Sequence, residues 1–523
     1  MQLPLGFIMN TKLPNYSYML LVILIGVILP RIFLIGGYPM GDEGTYATFS
    51  LLQQAAPSSD AGTFALYPRL TSFVFDFDGN HIFYLRLIDL LVAILAAFLM
   101  ISILNELASN KLVALLATIL FLLVMNQFIF IHRGFSNSIY VAYVFLFGAL
   151  FYLLKFKKEN LYRSAFVIGF LIGVSVLFRE PFVLFSPIIG LYLLIDSGFK
   201  AGLFYVLGGL ISLVVAILVL ELIGVSLDTI ISSYVDAGSM YKNLRSNYSN
   251  INALNHFISA TWVVLLFAFI VNTVYVFKHR GSLKSELWDS KWLFFLFFAF
   301  VPLVEPLTKY SVPYTFALTL PGLLFATSIA MNALFNNTSD KVKIYWLGLL
   351  IIPVLYYCAN LVSNIPHKIL WGGNFDGWAS SGFKNDRYLR ASLAVARVSR
   401  AGDTVAMTGD LYPIFPVTVR APIHLDMADL DRTVVQQNLD AEQLSKLLKK
   451  CSPDTIFLSS EQPKTSSIVA QAIDLADIYN VVGRIDSSSA GYGRQGAFVL
   501  RLKDEYYKTK TQKYCKNNIK HYL

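Results

Sequence analysis

The chain has 523 residues, of which 56% are hydrophobic and only 14% charged, where a soluble protein carries about 25% charge. That balance excludes a soluble globular enzyme and places the chain among polytopic membrane proteins. Its net charge of +9 comes from lysines and arginines in short segments between apolar runs, which is a topology signal, so no nucleic-acid partner is expected.

The first apolar run, near 18–36, is too long for a signal-peptide core and has no small-residue cleavage site after it. It reads as an uncleaved signal anchor. Further runs of spanning length fall near 82–104, 111–131, 136–154, 164–178, 181–195, 201–223, 259–277, 292–308, 311–334 and 344–363. The predicted fold class is therefore a polytopic α-helical membrane protein with about eleven transmembrane helices. Between 164 and 195, Phe178-Arg179-Glu180-Pro181 interrupts the pattern and either joins two short helices or marks one broken helix. With the N-terminus inside, the inner segments hold thirteen Lys and Arg and the outer ones six, and eleven spans leave the C-terminal region outside. Segments 37–81 and 224–258 become long outer loops. Their apolar stretches Thr45–Ala56 and Phe64–Phe77 are too short to span and suit helices lying flat at the interface.

Composition changes near Ile365. Thr404–Met407, Thr455–Leu458 and Ala497–Leu502 read as short buried strands, while Arg387–Arg400 and Ala441–Lys450 have helical periodicity. Residues 1–364 form the expected membrane domain, 365–507 an extracytoplasmic α/β domain, and 508–523 a basic tail suited to lipid headgroups. Cys451 and Cys515 lie in the C-terminal region, Cys358 in an apolar run. The first two can pair only if that region faces an oxidising compartment, which the sequence leaves open.

Asp42 and Glu43 follow the first span directly. They either cap a helix starting near Thr45 or supply a general base, because a partly shielded carboxylate can deprotonate an attacking hydroxyl or amine. Arg31, Arg69, Arg86, His132, Arg133, Arg179 and Lys309 all fall at predicted outer ends or in outer loops. Taken singly, each is a snorkelling cation; together they suit a phosphate headgroup, with arginine forks stabilising departing phosphate. Tyr46, Tyr67, Tyr310, Tyr314 and Trp371 lie near interfaces, as aromatic-belt residues or as platforms for a sugar. Asp76 and Asp78 read as a turn. No His, Cys, Asp or Glu spacing makes a metal motif, so a divalent metal has no support. No Walker loop and no dinucleotide fingerprint is present.

Four landmarks in this order resemble the GT-C glycosyltransferases, especially the branch of lipid A aminoarabinose transferases and protein O-mannosyltransferase relatives. They are Asp42-Glu43 with Tyr46; Tyr67-Pro68-Arg69 followed by Phe77 through Arg86; Phe178-Arg179-Glu180-Pro181; and Lys309-Tyr310 through Tyr314 to Pro321. The resemblance covers 18–335, with Asn137 where many relatives carry an acid. It implies a GT-C-like fold, a sugar donor on polyprenyl phosphate, and transfer to a lipid, glycan or protein acceptor in the envelope. It implies that Asp42 is the base and Glu43 its support. Arg69, Arg179, Lys309 and Arg86 would then hold donor phosphate, and Tyr46, Tyr67, His132, Arg133 and Tyr310 would line the substrate site. The expected location is a bacterial inner membrane with the site on the outer face. A lipid-linked sugar flippase, a glycan polymerase or ligase, and an assembly scaffold are the rival readings. The absence of repeated halves and the gathering of polar residues at helix ends weigh against a transporter.

Overall fold

In lipid every backbone N–H and C=O must find a partner within the chain, so long apolar runs become helices. The computed structural model describes residues 20–32, 50, 66–77, 81–108, 110–128, 138–155, 161–222, 224–225, 227, 250–279, 291–304, 313–369, 404–408, 430, 434, 439–459, 464–485 and 497–509. Among these, α1 (Leu20–Arg31) is followed by α2 (Leu66–Thr71), α3 (His81–Leu107), α4 (Lys111–Phe128), α5 (Ser138–Leu154) and α6 (Leu161–Phe178). Then come α7 (Phe185–Ser197), α8 (Phe199–Leu222), α9 (Asn250–His279), α10 (Lys291–Phe300), α11 (Pro313–Ala317), α12 (Thr319–Asn336) and α13 (Asp340–Ile369).

Seven helical stretches are long and apolar enough to cross a membrane by length and composition. Four shorter apolar helices, Leu20–Arg31, Lys111–Asn126, Ile139–Leu154 and Lys291–Leu303, take up the remaining predicted runs in order. The protein is a multi-pass membrane protein.

The interruption at Arg179 joins two helices. Arg179 is extended at φ −153° and ψ 110°, and a 3-10 turn, Glu180–Leu184, leads into α7. Pro181 fits the break, because it has no N–H to extend α6 and stands in the first turn of the 3-10 segment, where that N–H would lack a helical partner. Phe182 from that turn packs edge-on against Tyr143 of α5, with ring centroids 5.0 Å apart, so the corner is tied to the bundle.

Small residues set the closest helix pair. A Cβ on Gly169 or Gly208 would overlap the carbonyl oxygen of Tyr205 or Phe166, and one on Gly173 would overlap Ser212 Oγ. Glycine therefore lets α6 and α8 pack backbone to backbone, where lipid tails supply no hydrophobic drive of their own. The stretch Phe64–Phe77 is helical where described, as α2 and the 3-10 turn Ser72–Asp76. It buries Leu66, Tyr67, Arg69 and Thr71 while exposing Leu70, Phe73 and Phe77, the two-faced pattern an interfacial segment needs.

The C-terminal region has a separate core around Leu444, Leu448, Ile456, Ile473 and Leu500. Its strands β1 (Val405–Met407), β2 (Thr455–Ser459), β3 (Tyr479–Ile485) and β4 (Ala497–Leu502) form a sheet in the order β1-β2-β4-β3. β1 and β2 are parallel, so the chain must cross over between them; α14 (Ala441–Lys450) lies in that crossover, and β4 runs antiparallel to β2 and β3. Asp440 and Gln443 close a capping box at the start of α14. α15 (Lys464–Ala476) and strand β3 were not among the predicted elements. Asp477 turns between them at φ +50°, and Lys503 Nζ donates to both its carbonyl and its carboxylate. That ammonium holds the Asp477 carboxyl below its ordinary value. Cys451 is disulfide-bonded and Cys358 is a free thiol, while Cys515 lies outside the described residues. The predicted helix Arg387–Arg400 and the stretch Thr45–Ala56, apart from Ser50, also lie outside them.

Replacing Gly169 with alanine should lower the melting temperature in detergent, because overpacking against a rigid carbonyl costs about 1–3 kcal/mol. The same change at Gly348 on α13, which has nothing within 4 Å of an added Cβ, should not lower it. Equal melting temperatures for the two variants would contradict the close-packing account.

Candidate active site

Arg31 lies in the last turn of the first helix, and both it and Asp89 of α3 are 2% exposed. A guanidinium at that depth persists only when charge and donors are answered together. Arg31 Nε donates to Asp89 Oδ2 at 3.1 Å, and Nη1 donates to Asn126 Oδ1 of α4 at 2.9 Å and to the Val27 carbonyl at 3.4 Å. The Tyr140 hydroxyl of α5 donates to the same Asn126 Oδ1 at 3.0 Å. The Arg31 guanidinium carbon also lies 4.9 Å from the centre of the Tyr140 ring, a cation–π distance. Asn126 Nδ2 donates to the Gly26 carbonyl at 2.6 Å. The local sequence permits this, since α1 is π-helical over Ile23–Ile28. A Cβ at Gly26 would come within 2.6 Å of Leu122 Cδ1, so glycine there admits α4 at close range.

The network fixes the level of four helix ends. Arg31 and Asn126 stand in the last turns of α1 and α4, Tyr140 in the first turn of α5, and Asp89 about two turns into α3. Arg86 is buried one turn before Asp89 on α3, an i, i+3 spacing that puts both on one face. Val74 of the 3-10 turn packs on Leu85 at the start of α3, which brings α2 to the same end. Arg69 and Tyr67 of α2 are buried, and α2 also packs on α6. Thr71 holds the base of this segment, donating to the Tyr67 carbonyl at 2.8 Å and sharing a 2.8 Å hydrogen bond with Ser50. Arg179, half-buried at the end of α6, joins them through the Phe182–Tyr143 contact.

The fold thus gathers Arg69, Arg86, Arg179 and Tyr67 at one end of the bundle. Asp42, Glu43, Tyr46, His132, Arg133, Lys309 and Tyr310 lie outside the described residues. Arg31 departs from the expectation of a snorkelling cation, because its guanidinium turns inward to Asp89. Sequence reasoning passed over Asp89, Asn126 and Tyr140. The available signal was an acid at 89 inside the predicted span 82–104, a position where an ionisable group is costly. Among the described residues no three His, Cys, Asp or Glu side chains gather in a way that could hold a metal ion.

No protein-family model matches the sequence, and no curated protein matches it. Solved structures do. ArnT of Cupriavidus metallidurans, the lipid A aminoarabinose transferase, in its crystal structure bound to undecaprenyl phosphate, superposes with a TM-score of 0.59 at 13% identity, over 93% of this chain and 98% of that one. The oligosaccharyltransferase of Archaeoglobus fulgidus in its apo form gives 0.54 at 11% identity, over 92% and 75%. The archaeal oligosaccharyltransferase AglB from the same organism, with an inhibitory peptide and a dolichol-phosphate, gives 0.50 at 11% identity, over 94% and 76%. The chain has the GT-C fold.

Arg31→Met removes the cation of a buried ion pair, and breaking such a pair costs about 3–5 kcal/mol. The double variant Arg31→Met/Asp89→Leu should recover most of that loss in chemical unfolding of the detergent-solubilised protein. A single variant as stable as the parent would show that Asp89 is not held by Arg31.

Proposed function

We propose that the chain is a membrane glycosyltransferase that moves a sugar from a polyprenyl-phosphate carrier to a cell-envelope acceptor. One observation carries the reading: the fold is shared along nearly the whole chain with ArnT, whose crystal structure holds undecaprenyl phosphate. The dolichol-phosphate held by AglB supports the same donor chemistry. The three arginines at one bundle end are consistent with it, since a lipid phosphate needs cations where lipid meets water.

In this reading the Asp42 carboxylate takes the proton of an acceptor hydroxyl or amine as that group attacks the anomeric carbon. The bond from that carbon to the phosphate oxygen breaks, and its electron pair leaves with the polyprenyl phosphate. Arg69, Arg86, Arg179 and Lys309 hold the charge that develops on the departing phosphate. A single displacement of this kind inverts the anomeric centre. Glu43 supports Asp42, while Tyr46, Tyr67, His132, Arg133 and Tyr310 contact sugar and acceptor. The site faces outward from a bacterial inner membrane, with the membrane domain at 1–364 and an extracytoplasmic domain at 365–507. The disulfide at Cys451 supports an oxidising compartment for that domain. A carrier-borne sugar also makes physical sense there, because its activated bond needs no soluble nucleotide.

The direct test is mass spectrometry of envelope glycans from a deletion strain and its parent. A missing sugar unit, restored by the wild-type gene, is the expected result; identical glycans with a well-expressed protein in the parent would contradict the reading. Asp42→Asn should lower transfer by about 10²–10⁴-fold with insertion intact, and full activity in that variant would remove the general base. Arg179→Ala should weaken donor use by about 10- to 100-fold, the worth of a hydrogen bond to a charged group, and leave acceptor KM unchanged. A donor titration that matches the wild type would take Arg179 out of the phosphate site.

A further inference from the structure

The polar network of Arg31, Asp89, Asn126 and Tyr140 joins four helices through side-chain contacts. Its helices already bury a continuous apolar core that includes Ala93, Ala97, Phe121, Leu122 and Tyr143. Replacing a buried ion pair by apolar side chains of similar volume is often neutral or stabilising, so cohesion does not require this one. Hydrogen bonds add direction: they fix the height and rotation of a helix, where apolar side chains would accept several registers.

We propose that Arg31, Asp89, Asn126 and Tyr140 are positioning residues that lock α1, α3, α4 and α5 at the end of the bundle from which the site segments depart. Three observations carry this. Each of the four helices contributes one member, and Asn126 is the hub, accepting from Arg31 and Tyr140 and donating to the Gly26 carbonyl. The 3.0 Å bond between Tyr140 and Asn126 closes the chain between them at its base, and that segment carries His132 and Arg133. Arg31 anchors the helix end from which the chain leaves toward Asp42, and Asp89 fixes the face of α3 that also carries Arg86. The catalytic consequence rests on the glycosyl-transfer reading; the anchoring does not.

The experiment uses the full-length protein in nanodiscs and two variants. Arg31→Met/Asp89→Leu removes the ion pair while keeping volume, and Tyr140→Phe removes one hydroxyl while keeping the ring beneath the guanidinium. Both are read by hydrogen–deuterium exchange of peptides covering 33–49 and 129–137, by melting temperature, and by kcat and KM for a polyprenyl-phosphate sugar. The expected result for the double variant is a near-parental melting temperature, faster exchange in both peptides, and a fall in kcat of about 100-fold, the cost of a small misplacement of reacting groups, with donor KM unchanged. Tyr140→Phe should show the same pattern more weakly, with exchange raised in 129–137, and it decides the matter if the double variant does not fold. Parental exchange or parental kcat in a folded variant overturns the inference. A wild-type protein inactive on lipid-linked sugars would sink the glycosyl-transfer reading instead, and exchange alone would then judge the anchoring.

Discussion

A charged side chain within a lipid-facing bundle must find every partner inside the protein, and Arg31 shows what that demands. Its guanidinium reaches an acid on α3, an amide on α4 and an aromatic ring on α5, along with a carbonyl of its own helix. No single helix can meet those requirements, because neighbouring positions on one helix do not surround a fork of donors. The charge therefore demands four helices at one level, and the level chosen is where the candidate site begins. Around it an apolar core fills most of the bundle.

Two backbone devices give that packing its shape. Glycines at 169, 173 and 208 bring α6 against α8 more closely than any side chain would allow. Pro181 then ends α6 and turns the chain through Arg179 into the shorter α7. The arginine at the corner is left half-buried, while its neighbour Phe182 is fully inserted between Tyr143 and Phe185. Rigid support directly beside a partly accessible cation is the arrangement a binding group needs, since a loose guanidinium loses affinity to its own side-chain entropy.

Helices were legible in the sequence because eleven apolar runs leave few alternatives in lipid, and the break at Phe178–Pro181 announced itself through its proline. The strands at Val405–Met407, Thr455–Ser459 and Ala497–Leu502 were legible for a related reason: short apolar runs follow turn signals. Strand β3 was not, because Tyr479–Ile485 carries Asn480, Gly483 and Arg484, and its outward residues Val481 and Val482 blur the alternation. The irregular register at Val481 and Gly483 reflects the same fault in the pattern. Arg69, Arg86 and Arg179 could be read as a set from their shared position at helix ends. Asp89 could not be matched to Arg31, since 58 residues separate them and sequence alone has no measure of that distance in space.

The division between network and site residues follows from what each must do. A group that binds a departing phosphate has to meet its substrate, and a corner or a connecting segment is one place that allows it. A group that holds such segments in register has to avoid water, because competing hydrogen bonds would weaken the very contacts that set the geometry. Arg179 and Arg31 carry the same side chain and stand at the ends of two helices in one bundle, yet one is half-buried on extended backbone and the other is sealed against an aspartate. Burial and the acid beside it set the surroundings of Arg31 apart from those of Arg179. A shared position at helix ends therefore does not make the two arginines equivalent.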